Sequence, residues 1–201
     1  MTEHNCDIMH EILVCLRLSH PNIIRFMAAD KSESFLLIAK EYIHGASLDK
    51  VLHSSETTLK IEETSKKAYL TDWGLANIWD SVLLNRGSRI SEVFSGPLGG
   101  TTIYMAPECL IKYGNCTLKS DMWSLGITLL ELFTNKIPWQ VKHCQELHSL
   151  MYEECFPHAM EHLESKYMDI IGSCFTYSTS SRLTAGKLVT FLKTANFIDL
   201  K

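Results

Sequence analysis

The segment from Asp121 to Thr134, DMWSLGITLLELFT, has apolar residues on nearly every face of a helix. Such a helix has no polar side to turn to water, so it must lie in the middle of a domain with other elements around it. Helical patterns that can supply this cover follow at residues 145–155, 163–175 and 184–193. The C-terminal half is therefore predicted to be an all-helical body.

The N-terminal part combines one helix with short strands. Residues 7–18 carry apolar side chains at helical spacing. Ile23–Phe26 and Phe35–Ala39 are apolar strand candidates, and the polar turn Asp30–Ser34 between them is typical of a hairpin. Together with the helical body, this pattern predicts the α+β fold class.

Composition and charge narrow the class of function. With 46% hydrophobic and 21% charged residues, the chain is typical of a folded globular protein. The net charge of -4 gives no basic field, so we expect no nucleic-acid partner. No apolar run reaches the roughly 18 residues of a membrane span, and the N-terminus MTEHNCDIMHE does not fit a signal peptide. These features predict a cytoplasmic protein without a membrane span.

The cysteines and histidines give no clear sign of a metal site. The seven cysteines contain no CxxC pair and lie mostly in apolar surroundings, so we expect reduced, buried thiols rather than a disulfide or zinc framework. His158 and His162 are four residues apart but have no third ligand nearby, which favours a solvated helix face.

Several motifs stand in a fixed order along the chain. They are His20-Pro-Asn-Ile23, Asp72-Trp-Gly74, the Gly100–Glu108 stretch GTTIYMAPE, the Ser120–Gly126 stretch SDMWSLG, and Ser181-Arg-Leu-Thr-Ala185. Together they resemble the eukaryotic protein kinases, in the serine/threonine or kinase-like branch, over about residues 8 to 193. The resemblance implies a single, incomplete kinase-like domain with a vestigial small lobe at 1–45 and a mostly helical large lobe at 46–201.

The resemblance also implies a nucleotide site in which several parts are altered. Glu41 to Ile43 resembles the hinge whose backbone hydrogen-bonds adenine, and Ser47 stands at the ribose edge. Lys40, just before the hinge, would pay a desolvation penalty if buried, so it either tilts outward or closes the pocket. Glu11 corresponds to the helix glutamate that pairs with a strand lysine, but that lysine and the glycine-rich loop are not in this chain.

The catalytic loop is the larger departure from the family pattern. Between Leu52 and Asp72 only nineteen residues remain, and no aspartate occurs from 50 to 71. In the family this interval holds a long helix and the H-R-D-L-x-x-x-N loop, which supplies the catalytic base and a metal ligand. Asp72 stands at the position of the other magnesium ligand, and Trp73 replaces the usual phenylalanine. We therefore expect no catalytic residues and no tight binding of ATP or Mg²⁺, the cofactors of the intact family.

The other motif residues are architectural by resemblance. Glu108, in the Ala106–Glu108 motif, is expected to form a partly buried ion pair with Arg182. Asp121 is expected to anchor turns at the centre of the helical body, with Trp123 packing beside it. Thr101 resembles the threonine that lines the substrate pocket.

The segment between Gly74 and Thr101 is rich in serine and glycine. Ser88, Ser91 and Ser95 are candidate phosphorylation sites, with an ordinary polar loop as the alternative interpretation. The arginine that receives such a phosphate in the family belongs to the missing catalytic loop.

Three hypotheses follow for function. The chain is a catalytically inactive kinase-like domain that binds other proteins, such as kinase regulators or substrates, as a scaffold or competitor in signalling. Alternatively, it is a fragment or splice form of an active ATP-dependent serine/threonine kinase with no independent function. The third hypothesis is an unstable chain, because an incomplete small lobe leaves strand edges uncovered.

Overall fold

The computed structural model describes residues 12–32, 35–53, 67–73, 102–110 and 116–194. The chain divides into two compact units, Met1–Asn85 and Arg86–Lys201. The first unit contains a small sheet and the second is helical. The predicted α+β class is therefore confirmed, whereas the lobe bounds at 1–45 and 46–201 stay a prediction.

The sheet of the first unit is an antiparallel hairpin of strands β1 (Phe26–Lys31) and β2 (Leu36–Lys40). The backbone N–H of Ser32 donates to the carbonyl of Phe35 at 2.9 Å and closes the turn. The hairpin was predicted, but the position of its first strand was wrong. Asp30 and Lys31, at the end of β1, belong to the strand because they pair with Leu37 and Leu36 of β2. The alternation of polar and apolar residues in the sequence does not indicate this pairing.

Ile23, predicted to lie in the first strand, makes a single parallel bridge to Leu70 instead. The Leu70 N–H donates to the Asn22 carbonyl at 2.8 Å, and the Ile24 N–H donates to the Leu70 carbonyl at 3.0 Å. The Asn22 amide also donates to the Ala68 carbonyl at 2.9 Å. These bonds hold the segment around Leu70 beside the start of the hairpin.

Two helical segments accompany the hairpin in the first unit. Residues 12–17 are helical, inside the predicted span 7–18. Helix α1 (Leu48–His53) follows β2 and buries none of its side chains. The buried apolar side chains among the described residues of this unit are Ile12, Val14 and Cys15. Among the described residues, the first unit therefore buries far fewer apolar side chains than the second.

The second unit contains five α-helices in its described part. They are α2 (Pro107–Leu110), α3 (Leu118–Thr134), α4 (Cys144–Tyr152), α5 (Ser165–Cys174) and α6 (Ala185–Thr194), with 3₁₀ turns at Thr102–Tyr104 and His158–His162. The last three helices match the three predicted after Thr134, with ends displaced by three residues or fewer. None of the helices in the described ranges is long and apolar enough to cross a membrane.

Helix α3 begins three residues before the predicted start because Thr117 caps it. The Thr117 hydroxyl accepts from the Lys119 N–H at 3.1 Å, and the Ser120 hydroxyl accepts from the Thr117 N–H at 2.9 Å. At the other end, Asn135 has a left-handed backbone with φ 51° and donates its N–H to the Glu131 carbonyl. Both ends of the helix are therefore satisfied by local hydrogen bonds.

Helix α3 lies in the core of the second unit, as its apolar faces predict. Trp123, Ile127 and Leu130 are fully buried. Gly126 faces the end of α5, where a Cβ added to the glycine would lie 2.5 Å from the Cβ of Cys174. Only glycine permits this approach without a shift of backbone or side chains.

The cysteines correct one expectation. Cys109 and Cys116 form a disulfide, with Cα atoms 5.1 Å apart, so the prediction of reduced thiols is wrong for this pair. The seven-residue separation gave no CxxC signal, but the two residues flank a short connection between helices and meet at its ends. Among the other described cysteines, Cys144 and Cys174 are free and buried, Cys155 is free and partly buried, and Cys15 is buried.

Candidate functional site

The segment after β2 contains the residues predicted to form a nucleotide hinge. Lys40 ends β2 opposite Phe26, and its side chain is partly buried. The Glu41 side chain is exposed, and its backbone N–H donates to the Arg25 carbonyl at 2.8 Å. The first amide of the hinge is thus used within the protein.

The side chains at the other hinge positions differ in their exposure to solvent. Tyr42 is 80% exposed and contacts the ring of His44 edge-on at 5.0 Å. Ile43 is partly buried, and Ser47 is exposed. The Ser47 carbonyl accepts from the Val51 N–H at 3.1 Å, so Ser47 starts helix α1.

A cavity of about 380 Å³ lies next to this segment. Its lining is mostly polar and includes Arg25, Glu41, Lys67 and Tyr69. Binding clefts for flat organic ligands are predominantly apolar. Of the predicted hinge residues only Glu41 lines this cavity.

Asp72 follows the bridge made by Leu70. Its φ is 65°, in the left-handed region that aspartate and asparagine enter more readily than most residues. The Asp72 side chain is exposed and the Trp73 side chain is partly buried. Within the described ranges, no three His, Cys, Asp or Glu side chains are grouped so that they could hold a metal ion.

Several predicted positions cannot be compared with this geometry. Glu11, Gly74, Thr101 and the candidate phosphorylation sites Ser88, Ser91 and Ser95 lie outside the described residues. Their roles stay predictions.

The structure brings Glu108 and Arg182 together in the interior of the second unit. Arg182 Nη1 donates to Glu108 Oε1 at 2.6 Å, and Nη2 donates to Oε2 at 2.9 Å. The two residues are 5% and 1% exposed. The planar guanidinium matches both carboxylate oxygens, which is the strong, bidentate form of such a pair.

A third donor completes the environment of the Glu108 carboxylate. The Ser120 hydroxyl donates to Glu108 Oε1 at 2.7 Å. Burial alone would raise the pKa of Glu108, but the hydrogen bonds from Arg182 and Ser120 lower that pKa below its ordinary value of 4.5. Glu108 is therefore a stable anion inside the protein.

Arg182 uses its other donors on backbone carbonyls. Its Nε donates to Thr176 and its Nη1 to Lys119, each at 2.8 Å, and its guanidinium lies 5.2 Å from the ring of Trp123. The Lys119 ammonium in turn donates to the Arg182 carbonyl. A fully buried cation with this many partners fixes the segment around Arg182 against α2 and α3.

The remaining architectural residues differ in their surroundings. Ala106 is 1% exposed, and Pro107 is buried at the first position of α2, where a missing N–H costs no helix hydrogen bond. Asp121 lies in the first turn of α3, where partial desolvation of its carboxyl raises its pKa. Among the described residues none hydrogen-bonds the Asp121 carboxylate, so they do not provide the anchoring contact expected of it.

Sequence reasoning missed two polar contacts in the core. Ser120 reaches Glu108, and the Tyr104 hydroxyl donates to Glu131 Oε2 at 2.6 Å, with Glu131 only 4% exposed. The spacing of Thr117 and Ser120 was a usable cap signal for the first. No signal pointed to Glu131, because an isolated glutamate on a helix is normally solvated.

Comparison with known proteins agrees with this architecture. The sequence matches the protein kinase domain family over residues 59–191 and the protein tyrosine and serine/threonine kinase family over residues 1–86. A probable serine/threonine-protein kinase of Dictyostelium discoideum is 28% identical, over 93% of this chain and 33% of the relative. Mitogen-activated protein kinase kinase kinase 3 of Arabidopsis thaliana is 26% identical, over 91% of this chain and 34% of the relative.

A third relative, mitogen-activated protein kinase kinase kinase A of Dictyostelium discoideum, is 28% identical over 89% of this chain and 22% of its own length. The chain thus spans about a third or less of the length of these relatives. The protein kinase domain match covers more than half of the chain and includes Asp72, Glu108 and Arg182. On this match, together with the α+β fold, the chain belongs to the protein kinase domain family.

Proposed function

We propose that this protein-kinase-like domain is catalytically inactive and acts in the cytoplasm by binding other proteins, as a scaffold or as a competitor of an intact relative. The observation that carries the proposal is the short interval before Asp72. Nineteen residues separate Leu52 from Asp72, and none of them is an aspartate.

The ends of this interval leave little room for a catalytic loop. Helix α1 ends at His53, and by Leu70 the chain is already bridged to Ile23. The residues in between would have to contain a long helix, at 1.5 Å per residue, as well as a loop carrying the base. Without an aspartate to accept the proton of the attacking hydroxyl, phosphoryl transfer lacks its general base.

The energetic consequence is large. A single positioned electrostatic group in an active site is worth roughly 3 to 4 kcal/mol of transition-state stabilisation. Both the base and the asparagine that holds a metal ion belong to the missing loop, so Asp72 would have to act alone. We infer that any remaining phosphate transfer is too slow to be the function of the chain.

Support for protein binding comes from the part that is retained. The buried pair Glu108–Arg182 and the covered helix α3 indicate a helical body that is still built as in a kinase. Such a body can present the surfaces by which kinases meet regulators and substrates. Relatives named as mitogen-activated protein kinase kinase kinases have protein kinase kinases as substrates, so we propose that this class of protein includes the partners.

Phosphate transfer by the purified chain tests inactivity. The chain is incubated with radiolabelled ATP, Mg²⁺ and a general protein substrate, next to the matched variant Asp72→Ala. We expect incorporation to be equal for the two proteins and equal to a blank. Magnesium-dependent incorporation that Asp72→Ala removes would contradict the proposal.

Nucleotide binding is measured separately by thermal shift. We expect ATP at millimolar concentration, with and without Mg²⁺, to leave the melting temperature unchanged. If ATP did bind, a concentration of 100 times its Kd would stabilise the protein by about 2.7 kcal/mol and raise the melting temperature. A magnesium-dependent rise would show that Asp72 still holds a nucleotide complex.

Competition is tested with an intact relative. Increasing amounts of the chain are added to a purified mitogen-activated protein kinase kinase kinase and its kinase substrate, with an unrelated helical protein as control. We expect phosphorylation of the substrate to fall in proportion to the added chain. An unchanged rate at a large excess of the chain would argue against a competitor role.

A second candidate function is favoured by one observation, the coverage of only about a third of the relatives' length. The chain would then be a fragment or splice form of an active ATP-dependent serine/threonine kinase, with no function of its own. Sequencing of full transcripts distinguishes the two. A longer product with V-A-I-K and H-R-D motifs in frame supports the second candidate.

A further inference from the structure

The disulfide between Cys109 and Cys116 lies next in sequence to the ion-pair network, which we define as Glu108, Arg182 and Ser120. Cys109 directly follows Glu108 in α2, and Cys116 directly precedes Thr117, the cap of α3. Their Cα atoms are 5.1 Å apart, within the range that a disulfide spans without backbone movement. The bond therefore joins the two segments that carry the network.

Both of these segments contribute to the same carboxylate. Glu108 comes from the α2 segment, and the Ser120 hydroxyl that donates to it comes from the first turn of α3. The same Ser120 hydroxyl accepts the N–H of Thr117. A covalent link between the neighbours of Glu108 and Thr117 thus limits how far Ser120 can move from Glu108.

We propose that Cys109 and Cys116 form a reversible thiol–disulfide pair that clamps α2 to the start of α3 and exchanges with small-molecule disulfides such as oxidised glutathione. Nothing in this proposal depends on whether the domain transfers phosphate. The proposal places an oxidation site at the connection between α2 and α3. The resemblance to kinases gives these two cysteines no role.

The exchange proceeds in two balanced steps. The thiolate of one cysteine attacks a sulfur of oxidised glutathione and releases one glutathione thiolate. The thiolate of the second cysteine then attacks the mixed disulfide on the protein sulfur, forms the Cys109–Cys116 bond and releases the second glutathione. Two electrons pass from the protein thiols to glutathione, and the two protons lost by the cysteines are taken up by the leaving thiolates.

The order of attack follows from exposure. Cys116 is partly buried, whereas Cys109 is only 7% exposed. An attacking thiolate must reach the small-molecule disulfide, so Cys116 reacts first and Cys109 resolves the mixed disulfide. The resolving step needs only the neighbouring sulfur, which the geometry supplies.

The other described cysteines are poorer candidates for the same reaction. Cys144 and Cys174 are buried, and desolvation raises the pKa of both, to about 11 for Cys174. Cys155 is partly exposed and free, so it serves as the internal control. Within the described part of the chain, only Cys109 and Cys116 are bonded to each other.

The test uses the full chain equilibrated in buffers with different ratios of reduced to oxidised glutathione. Remaining thiols are alkylated, and tryptic peptides are identified by mass spectrometry, with cleavage after Lys112 separating the two cysteines. We expect Cys109 and Cys116 to become protected together, in a linked peptide pair that lacks two hydrogens. Cys155 should be alkylated at ratios where this pair is already closed.

Thermal melting gives the second readout. Closing a loop of this length restricts the unfolded chain, so the oxidised protein should melt about 5 to 10 °C above the reduced protein. Cys116→Ser should remove this redox dependence and Cys155→Ser should keep it. Cys109→Ser is a weaker test, because Cys109 is buried and its replacement by serine can disturb folding. If Cys109→Ser does not fold, Cys116→Ser alone provides the test.

Three results would overturn the proposal. The first is independent alkylation of Cys109 and Cys116 at every glutathione ratio. The second is a stable glutathione adduct on Cys116 in place of the linked peptides, which would mean that Cys109 does not resolve it. The third is the same melting temperature for the oxidised and reduced proteins.

Discussion

Inside the second unit, the Glu108 carboxylate accepts three hydrogen bonds from two side chains, Arg182 and Ser120. Each partner is buried, so none of them can turn to water if another is removed. Loss of one member therefore leaves a desolvated charge behind, and this determines how substitutions at these positions act.

Glu108→Ala is expected to destabilise the second unit by about 3 to 5 kcal/mol, because it leaves the Arg182 guanidinium buried without a counter-charge. The measurement is urea denaturation followed by tryptophan fluorescence, since Trp123 lies beside Arg182. The double variant Glu108→Leu, Arg182→Met should recover part of the loss.

The exposed pair Lys166–Glu164 provides the matched control. Its atoms are 2.8 Å apart, but the two side chains are 54% and 67% exposed. Glu164→Ala should therefore leave the free energy of unfolding almost unchanged, because solvent screens an exposed pair. Equal losses at Glu108 and Glu164 would show that burial does not set the strength of these pairs.

The lowered pKa of Glu108 makes its contribution depend on pH. The unfolded chain takes up this proton near 4.5, at a higher pH than the folded chain. The stabilisation is therefore fully present above about pH 4.5 and is lost as the pH falls through the lower folded value. Urea denaturation between pH 7 and about pH 3 measures the difference in free energy of unfolding between wild type and Glu108→Gln. This difference should be constant down to about pH 4.5 and should shrink at lower pH. A difference that grows in acid would contradict this assignment.

Among the helices, α3 packs closely against the end of α5 at Gly126. A Cβ there would lie 2.5 Å from the Cβ of Cys174 and 3.0 Å from the ring of Phe175. Gly126→Ala should destabilise by about 1 to 3 kcal/mol, even though alanine favours a helix over glycine by about 1 kcal/mol.

Gly172 in α5 is the comparison for this substitution. A Cβ there would meet only the end of the Met160 side chain at 3.8 Å, which is ordinary contact. Gly172→Ala should therefore be neutral or stabilising by up to about 1 kcal/mol. Thermal denaturation of both variants distinguishes packing from helix propensity, and equal effects would show that the approach of α3 to α5 is not tight.

Helices α3 to α6 of the second unit could be predicted from sequence because their apolar periodicity is long and strong, whereas the four-residue helix α2 carries no such signal. The first strand was misplaced because Ile23 and its neighbours are as apolar as a strand, yet Ile23 bridges to Leu70, which is distant in sequence. The partnership of Glu108 and Arg182 came from motif resemblance. The spacing of Thr117 and Ser120 was a usable cap signal that was not read, whereas nothing in the sequence pointed to Glu131. Burial of a polar group is decided by distant partners, which no local pattern contains.

At the scale of the whole molecule, the described parts of the two units bury very different numbers of apolar side chains. The main apolar core lies in the second unit, from Ala106 to Leu188, whereas the described part of the first unit buries only a few side chains of its helix 12–17. A two-stranded hairpin alone is marginally stable in water. The two units should therefore differ in local stability.

Hydrogen–deuterium exchange of the full chain measures this difference. Backbone amides of β1 and β2 are expected to exchange about a hundredfold faster than those in the middle of α3. Equal protection in the two units would show that the first unit is stabilised by contacts as extensive as those of the second.

The left-handed backbone of Asp72 also bears on how inactive relatives of enzymes are recognised. A φ of 65° is adopted more readily by aspartate, asparagine and glycine than by other residues, with or without a metal ion. Backbone conformation alone is therefore a sufficient reason for an aspartate at this position. A surviving D-x-G motif is then a record of chain geometry, and inventories that count it as proof of an active kinase will overestimate their number.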